Sequence, residues 1–194
     1  MTGSLRILVI DSDPERAALV REGLNDSGGD VAVTIAETTR NLLVTLRQMN
    51  PDVLIVALDS PDRDVIEQLR TAGRETPRPV VMFVDRSDES MMRDAVNAGV
   101  SAYVVDGLAP KRVRAVLDLA VARFHAFEDL RRELDEARST LADRKAVDRA
   151  KGILMERRGL SEDDAYKALR KMAMDQGRKI GDAARAVISV ADVL

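Results

Sequence analysis

The chain has 194 residues, 45% of them hydrophobic, and this length and composition suit one large globular domain or two small ones. It contains no cysteine and a single histidine, which excludes a disulfide framework and disfavours a zinc site. The formal net charge of −3 is unevenly distributed: residues 142–194 hold 12 Lys and Arg against 9 Asp and Glu, whereas the first 141 residues hold 18 against 24. A nucleic-acid-binding surface is therefore expected only in the C-terminal part.

The start of the chain, MTGSLRILVIDSDPERA, has no basic segment before a long apolar stretch. No apolar run in the sequence approaches the length that is needed to cross a bilayer. The sequence therefore predicts a cytoplasmic protein that has no membrane partner.

Short apolar runs alternate with helical segments through the first 105 residues. The predicted strands are 5–10, 31–36, 52–58, 79–84 and 101–105, and the predicted helices between them are 14–27, 39–49, 63–72 and 90–98. This alternation predicts an α/β fold with a doubly wound, five-stranded parallel sheet. Ligands of such sheets lie at the carboxyl ends of the strands, which here carry Asp11, Asp13, Asp59 and Asp85.

A long helix is predicted after the last strand, because residues 111–151 contain neither glycine nor proline. Its first part, Val113 to Ala120, is expected to pack on the sheet. Further along, apolar residues recur at steps of three, four, three and four, which is a heptad seam of two repeats. The seam consists of Phe127, Leu130, Leu134, Ala137 and Leu141. A parallel dimeric coiled coil is favoured over packing within the chain, although Ala137 weakens it.

Three short helices are predicted after residue 142, each with one apolar stripe, so they are expected to pack on one another. Gly159 suits the end of the first helix, Ser161 the N-cap of the second, and Gly177 the end of the second. The third helix is predicted over 180–190. Three small residues are expected to let the helices approach closely: Ala150, Gly152 and Ala165.

Part of this helical region, AKGILMERRGLSEDDAYKALRKMA followed by GRKIGDAA, resembles the ANTAR domain. That domain is the three-helix RNA-binding module of bacterial transcription antitermination regulators, and the resemblance covers about residues 141–190. It implies binding to leader RNA that contains paired small stem-loops, which prevents a terminator hairpin from forming.

The order of strands and helices over residues 6–122 resembles the receiver domain of two-component response regulators. The positions that align with the phosphorylation pocket of that family are Asp11, Ser12, Asp13, Ala57, Val84 and Asp106. Ala57 stands where receivers have the phosphoacceptor aspartate, Val84 where they have a hydroxyl, and Asp106 where they have a lysine. The usual aromatic position is kept as Tyr103.

These replacements remove the chemistry of an acyl phosphate, which needs a carboxylate nucleophile, a metal held by carboxylates and a cation beside the phosphoryl group. Asp59 is a poor replacement, because two residues along the chain move a carboxylate by about 6–7 Å. We therefore expect no phosphorylation and no cofactor. For Asp11 and Asp13, weak cation binding stays open, but roles as loop and helix-cap carboxylates are preferred.

The candidate RNA contacts occur at the end of the first C-terminal helix, along the second, and in the turn before the third. They are Lys151, Arg157, Arg158, Tyr166, Arg170, Lys171, Arg178 and Lys179. In a compact three-helix unit these positions can converge on one phosphate-binding face. Arg170 and Arg178 are the strongest candidates. Tyr166 either fills the core or stacks on an unpaired base, and the core position is favoured.

The sequence thus predicts a receiver-like domain over 1–122, a helical coiled-coil connector over 123–141 and an ANTAR domain over 142–194. The receiver tail, MFVDRSDESMMRDAVNAGVSAYVVDGL, also looks like that of regulators of nitrate and nitrite assimilation, which implies a nitrate-sensing partner protein that sequesters the antiterminator. The main alternative is a DNA-binding or protein-interacting response regulator. An enzyme is disfavoured, because there is no Ser-His-acid set and no phosphate loop.

Overall fold

The computed structural model describes residues 4–25, 30–37, 41–106 and 108–191. The chain divides into two compact units, Met1–Phe127 and Glu128–Leu194. The division falls within one long helix, so part of the seam predicted for the connector belongs to the second unit. None of the helices in the described ranges is both long enough and apolar enough to cross a membrane.

The first unit is the predicted five-stranded parallel sheet, with strand order β2-β1-β3-β4-β5. The strands are β1 (Leu5–Ile10), β2 (Val31–Ala36), β3 (Val53–Leu58), β4 (Val80–Val84) and β5 (Ala102–Val105). The helices are α1 (Pro14–Asn25), α2 (Leu42–Met49), α3 (Arg63–Glu75), α4 (Glu89–Asn97) and α5 (Pro110–Arg158).

Two helix boundaries differ from the sequence prediction by three residues. The helix expected from residue 39 begins at Leu42, because Asn41 adopts the left-handed conformation with φ 68°. Thr39 lies outside the described residues. The predicted end of α1 at Ser27 also lies outside them. The helix expected to end at residue 72 continues to Glu75, since a glycine only weakens a helix, whereas the proline at position 77 disfavours helical dihedrals at the residue before it.

The three central strands, β1, β3 and β4, are buried on both faces over most of their length, as their continuous apolar runs predict. Val53, Ile55 and Ala57 of β3 belong to the core on the side of α1 and α5, whereas Leu54 and Val56 belong to the core on the side of α2, α3 and α4. This alternation follows from the two-residue period of a strand. Because β1, β3 and β4 are adjacent and parallel, their carboxyl ends lie at the same edge of the sheet, where the acidic loops begin.

The second unit contains the end of α5, α6 (Glu162–Asp175) and α7 (Ile180–Ala191). The predicted helix ends and the predicted N-cap are confirmed. Gly159 and Gly177 have positive φ values of 65° and 61°, and the Ser161 side chain accepts a hydrogen bond from the Asp164 backbone N–H. The central hydrophobic cluster of the unit consists of the buried residues Ala150, Leu154, Ala165, Leu169 and Ala184.

Close helix packing in this unit depends on a different glycine from the one predicted. Ala150 and Ala165 are buried as expected, but the prediction for Gly152 is wrong, because this residue is exposed and a Cβ there would meet nothing within 4 Å. Gly152 follows the buried Ala150 by two positions, which places it on the opposite side of α5. At Gly181 of α7, in contrast, a Cβ would overlap the carboxylate of Asp143. That carboxylate also accepts a hydrogen bond from Arg185 Nη1 at 2.7 Å, which fastens α7 to α5.

Candidate nucleic-acid interface

Lys151, one of the predicted RNA contacts, lies between two carboxylates of its own unit. Its Nζ is 2.8 Å from Glu162 Oε1 and 3.0 Å from Asp148 Oδ1. The hydrogen bonds to Glu162 and Asp148 raise the pKa of Lys151, and the side chain is only 17% exposed. Lys151 therefore joins α5 to the first turn of α6, and its charge is balanced within the unit.

Arg157 has a similar partner inside the unit. Its Nη2 donates a hydrogen bond of 2.8 Å to the backbone carbonyl of Ala191, at the end of α7. A guanidinium at this position satisfies one of the carbonyls that a helix end leaves without an intrahelical partner. The residue is otherwise exposed, so it links the ends of two helices and still presents charge to solvent.

The remaining predicted cations are exposed at the end of α5, on the outer side of α6 and in the turn before α7. Within the part of the chain that the structure describes, the charged groups of Arg158, Arg170, Lys171 and Arg178 make no hydrogen bond and no ion pair. Lys179 is also exposed and lies near Asp182, whose pKa is lowered mainly by Arg185 and to a smaller extent by Lys179. Arg158, Arg170, Lys171 and Arg178 are therefore available to a ligand without the loss of an internal contact.

Tyr166 lies on the surface of α6, so the preference for a core position is wrong. Its side chain is 44% exposed, because Ala165, Leu169 and Ala173 already occupy the core face of the helix. Tyr166, Arg170 and Met174 follow one another at steps of four residues and therefore form a row on the outer side. Met174 is 72% exposed. An aromatic ring, a guanidinium and a thioether thus stand side by side on α6.

The heptad seam of α5 is exposed as well. Its four large apolar side chains, Phe127, Leu130, Leu134 and Leu141, are between 48% and 64% exposed, and Ala137 is exposed. Every residue from 129 to 142 is exposed. No described residue of the chain covers this stretch of helix, so its apolar stripe has no partner within the described ranges.

The positions that align with the receiver phosphorylation pocket lack a nucleophile. Ala57 is fully buried in the core beneath the pocket, and Val84 is buried at the end of β4. Asp106 is exposed with φ 47°, and Ser12 is exposed. Asp13 Oδ1 accepts a hydrogen bond of 2.9 Å from the Glu15 backbone N–H. This is the geometry of a carboxylate that caps the start of α1.

An arginine that the sequence reading did not single out occupies the middle of this pocket. Arg16 Nη2 lies 2.8 Å from Asp11 Oδ1, and Arg16 Nε lies 3.0 Å from Asp11 Oδ2. Arg16 Nη1 lies 2.6 Å from Asp59 Oδ1 and 3.1 Å from Asp85 Oδ2. One guanidinium thus joins the carboxylates that follow β1, β3 and β4, and we call these four residues the Arg16 cluster. The sequence feature that could have pointed to Arg16 is its place in the segment DSDPER, in the first turn of the helix that follows the acidic loop.

Two families match the chain: a response regulator receiver domain at residues 7–118 and an ANTAR domain at residues 135–188. The transcriptional regulatory protein PdtaR of Mycobacterium tuberculosis is 32% identical over 126 residues, which cover 65% of this chain and 62% of that protein. The nitrate regulatory protein of Klebsiella oxytoca is 34% identical over 85 residues, which cover 44% of this chain and 22% of that protein. The matched segments thus span less than two thirds of these relatives.

Among solved structures, a putative pilus assembly-related protein of Burkholderia pseudomallei matches with a TM-score of 0.54 at 23% identity. The match covers 63% of this chain and 93% of that one. At this identity it shows the fold alone.

Proposed function

Because the chain belongs to the response regulator receiver family and carries an ANTAR domain at its C-terminal end, we propose that it is an RNA-binding transcription antitermination regulator. Both families are regulatory, so the protein is a regulator and not an enzyme. It binds paired stem-loops in leader mRNA and prevents a terminator hairpin from forming, which places it in the cytoplasm. The observation that carries the proposal is the set of exposed cations without internal partners in the second unit: Arg158, Arg170, Lys171 and Arg178.

The cations of the second unit divide into two groups with different roles. Lys151 and Arg185 each pair with a carboxylate on a neighbouring helix, so they stabilise the packing of the helices, whereas Lys167 pairs with Asp163 within α6. Arg158, Arg170, Lys171 and Arg178, together with Arg157 and Lys179, contact RNA phosphates. Contacts of this kind supply affinity and fix the orientation of the RNA, and they make binding depend on salt.

Specificity for the loop of the hairpin comes from the row Tyr166, Arg170 and Met174. RNA loops present unpaired bases, which proteins hold by stacking on aromatic rings or on arginine guanidinium planes. Tyr166 is the only aromatic residue of the second unit, and its exposure leaves the ring accessible. Arg170, the next residue of the row, contacts both a base and a neighbouring phosphate.

The active form is a homodimer that is joined through the seam of α5. A helix that is exposed all round and carries four large apolar side chains at heptad spacing gains stability when a second copy covers them. A parallel dimer presents two second units, one for each stem-loop of a pair. Dimerisation is thereby linked to the recognition of paired hairpins.

Control comes from a partner protein rather than from phosphorylation, because Ala57 cannot accept a phosphoryl group. The similarity to a protein named for nitrate regulation, together with the receiver tail, favours a nitrate-sensing partner that sequesters the regulator. This control predicts a complex that dissociates when nitrate binds the partner. A complex that persists at saturating nitrate would exclude it.

The experiment compares two substitutions on α6 in the full chain, Arg170→Ala and Lys167→Ala, by titration of a labelled two-hairpin RNA at fixed salt. Arg170 has no internal partner, so its loss is expected to weaken binding by about 1–3 kcal/mol and to reduce the salt dependence by about one charge. Lys167 lies 2.5 Å from Asp163, so its loss is expected to weaken binding less.

Duplex DNA serves as the competitor in the same titration. Displacement of the RNA by duplex DNA at equal concentration would favour the DNA-binding alternative. Equal effects of the two substitutions would contradict the division of the cations into RNA-contacting and internally paired groups.

A further inference from the structure

The Arg16 cluster decides what the first unit is able to bind. A receiver domain that forms an acyl phosphate holds a divalent metal with the carboxylates at the carboxyl ends of its strands. Magnesium requires oxygen ligands at about 2.0–2.1 Å in a near-octahedral arrangement. The carboxylates that are available here, Asp11, Asp59 and Asp85, all have an oxygen bonded to Arg16.

These residues do not fit a divalent metal. Both carboxylate oxygens of Asp11 accept hydrogen bonds from Arg16 in a two-pronged arrangement, and the Asp11 side chain is fully buried. A metal would have to displace a guanidinium whose side chain is only 9% exposed. Across the described ranges, no group of three or more His, Asp or Glu residues is arranged to hold a metal ion.

The pKa shifts within the cluster indicate that Arg16 and Asp59 are both charged. Hydrogen bonding to Asp11 raises the pKa of Arg16 and outweighs the opposite effect of burial, so the guanidinium stays charged. The hydrogen bond from Arg16 lowers the pKa of Asp59, so this carboxylate stays ionised as well. One fixed positive charge therefore faces three carboxylates, and charge-assisted Arg–carboxylate contacts are among the strongest hydrogen bonds in proteins.

We propose that Arg16 takes the place of the metal ion in the first unit, so that this unit is closed to divalent cations. Arg16 joins the start of α1 to the ends of β1, β3 and β4. It therefore acts as a positioning residue for the loops that surround the former phosphorylation pocket. The proposal concerns the first unit alone and does not depend on RNA binding.

The test measures the thermal unfolding of the full chain with and without millimolar Mg²⁺ for the wild type and for three variants. Arg16→Met leaves the buried Asp11 carboxylate with the backbone N–H of Asp13 but without its cation, and we expect the melting temperature to fall by several degrees. Arg16→Met/Asp11→Asn removes the uncompensated buried charge, and we expect it to recover part of the loss. Arg6→Met is the matched control, because Arg6 makes the same two-pronged contact with Asp52 but both side chains are at least 41% exposed; its effect is expected to be small.

For the wild type, Mg²⁺ is expected to leave the melting temperature unchanged. An increase with Mg²⁺, or binding of Mn²⁺ by the wild type in an electron paramagnetic resonance titration, would overturn the proposal. The Mn²⁺ titration needs no variant, so it decides the question even if Arg16→Met does not fold. Equal losses in Arg16→Met and Arg6→Met, or no recovery in the double variant, would show that Arg16 does not act through the carboxylates.

Discussion

Asp59 links the stability of the first unit to pH. Its pKa is lowered by the hydrogen bond from Arg16, so near the usual carboxyl pKa of about 4 the unfolded chain binds a proton more readily than the folded chain. The contribution to stability is complete above the pKa of the unfolded chain and is lost as pH falls through the lower pKa of the folded state. We expect the melting temperature of the wild type to fall more steeply in this acid range than that of Asp59→Asn. Parallel curves for the two proteins would contradict the link.

Single residues also show where sequence reasoning stops. The replacements at Ala57 and Asp106 can be read from position alone, because each stands at a fixed distance from a strand end or a proline. Arg16 could not be assigned, since its role depends on the direction in which the first turn of α1 carries a long side chain over the sheet edge. Tyr166 was misplaced for a related reason: its ring is apolar, but the core face of α6 is already filled by small residues and Leu169.

From the helix packing in the second unit, we predict opposite changes in the free energy of unfolding when two of its glycines are replaced by alanine. Gly181→Ala places a methyl group against the Asp143 carboxylate, so either this carboxylate turns away from Arg185 or α7 moves away from α5. We expect a loss of about 1–3 kcal/mol in the free energy of unfolding. Gly152→Ala is the control: its methyl group enters open space in the interior of a helix, and we expect a gain of about 0.5–1 kcal/mol. Chemical denaturation checks both values, and a stabilising Gly181→Ala would show that the two helices do not pack closely there.

The exposed apolar seam of α5 predicts how substitutions change dimerisation. Leu134→Glu introduces a charge into the apolar stripe and is expected to abolish dimers, whereas Ala137→Leu fills its weakest position and is expected to tighten them. Ser139→Glu is the control, because its position lies outside the seam. Sedimentation velocity over a range of concentrations measures all three. A wild type that stays monomeric at every concentration, with no change in Ala137→Leu, would exclude the dimer.

Elements as a whole were predictable to different degrees. The strands were predicted to within one residue at each end. Short, nearly continuous apolar runs of four to seven residues are typical of strands in a parallel sheet, and the central ones are indeed buried on both faces. The helix ends at Gly159, Ser161 and Gly177 were found because their caps have a local chemical cause. The end of α3 was missed by three residues, since the helix continues through Gly73 until the proline at position 77 becomes the stronger signal.

For the whole molecule, the alternation of strands and helices was sufficient to predict the receiver fold, and the C-terminal phrase was sufficient to predict the ANTAR domain. The positive charge balance of residues 142–194 agrees with the proposal that this part of the chain binds nucleic acid. The sequence contains no comparable pattern that identifies the target RNA or the controlling partner, because recognition also depends on the shapes of those molecules.

The central claim is that two copies of the second unit bind a pair of stem-loops, and the most direct measurement titrates the wild type and Leu134→Glu with RNAs that carry one hairpin or two. We expect the wild type to bind the two-hairpin RNA more tightly than the single-hairpin RNA, because the second contact becomes intramolecular. We expect Leu134→Glu to bind both RNAs alike. Equal binding of the two RNAs by the wild type, or no binding of either, would contradict the claim.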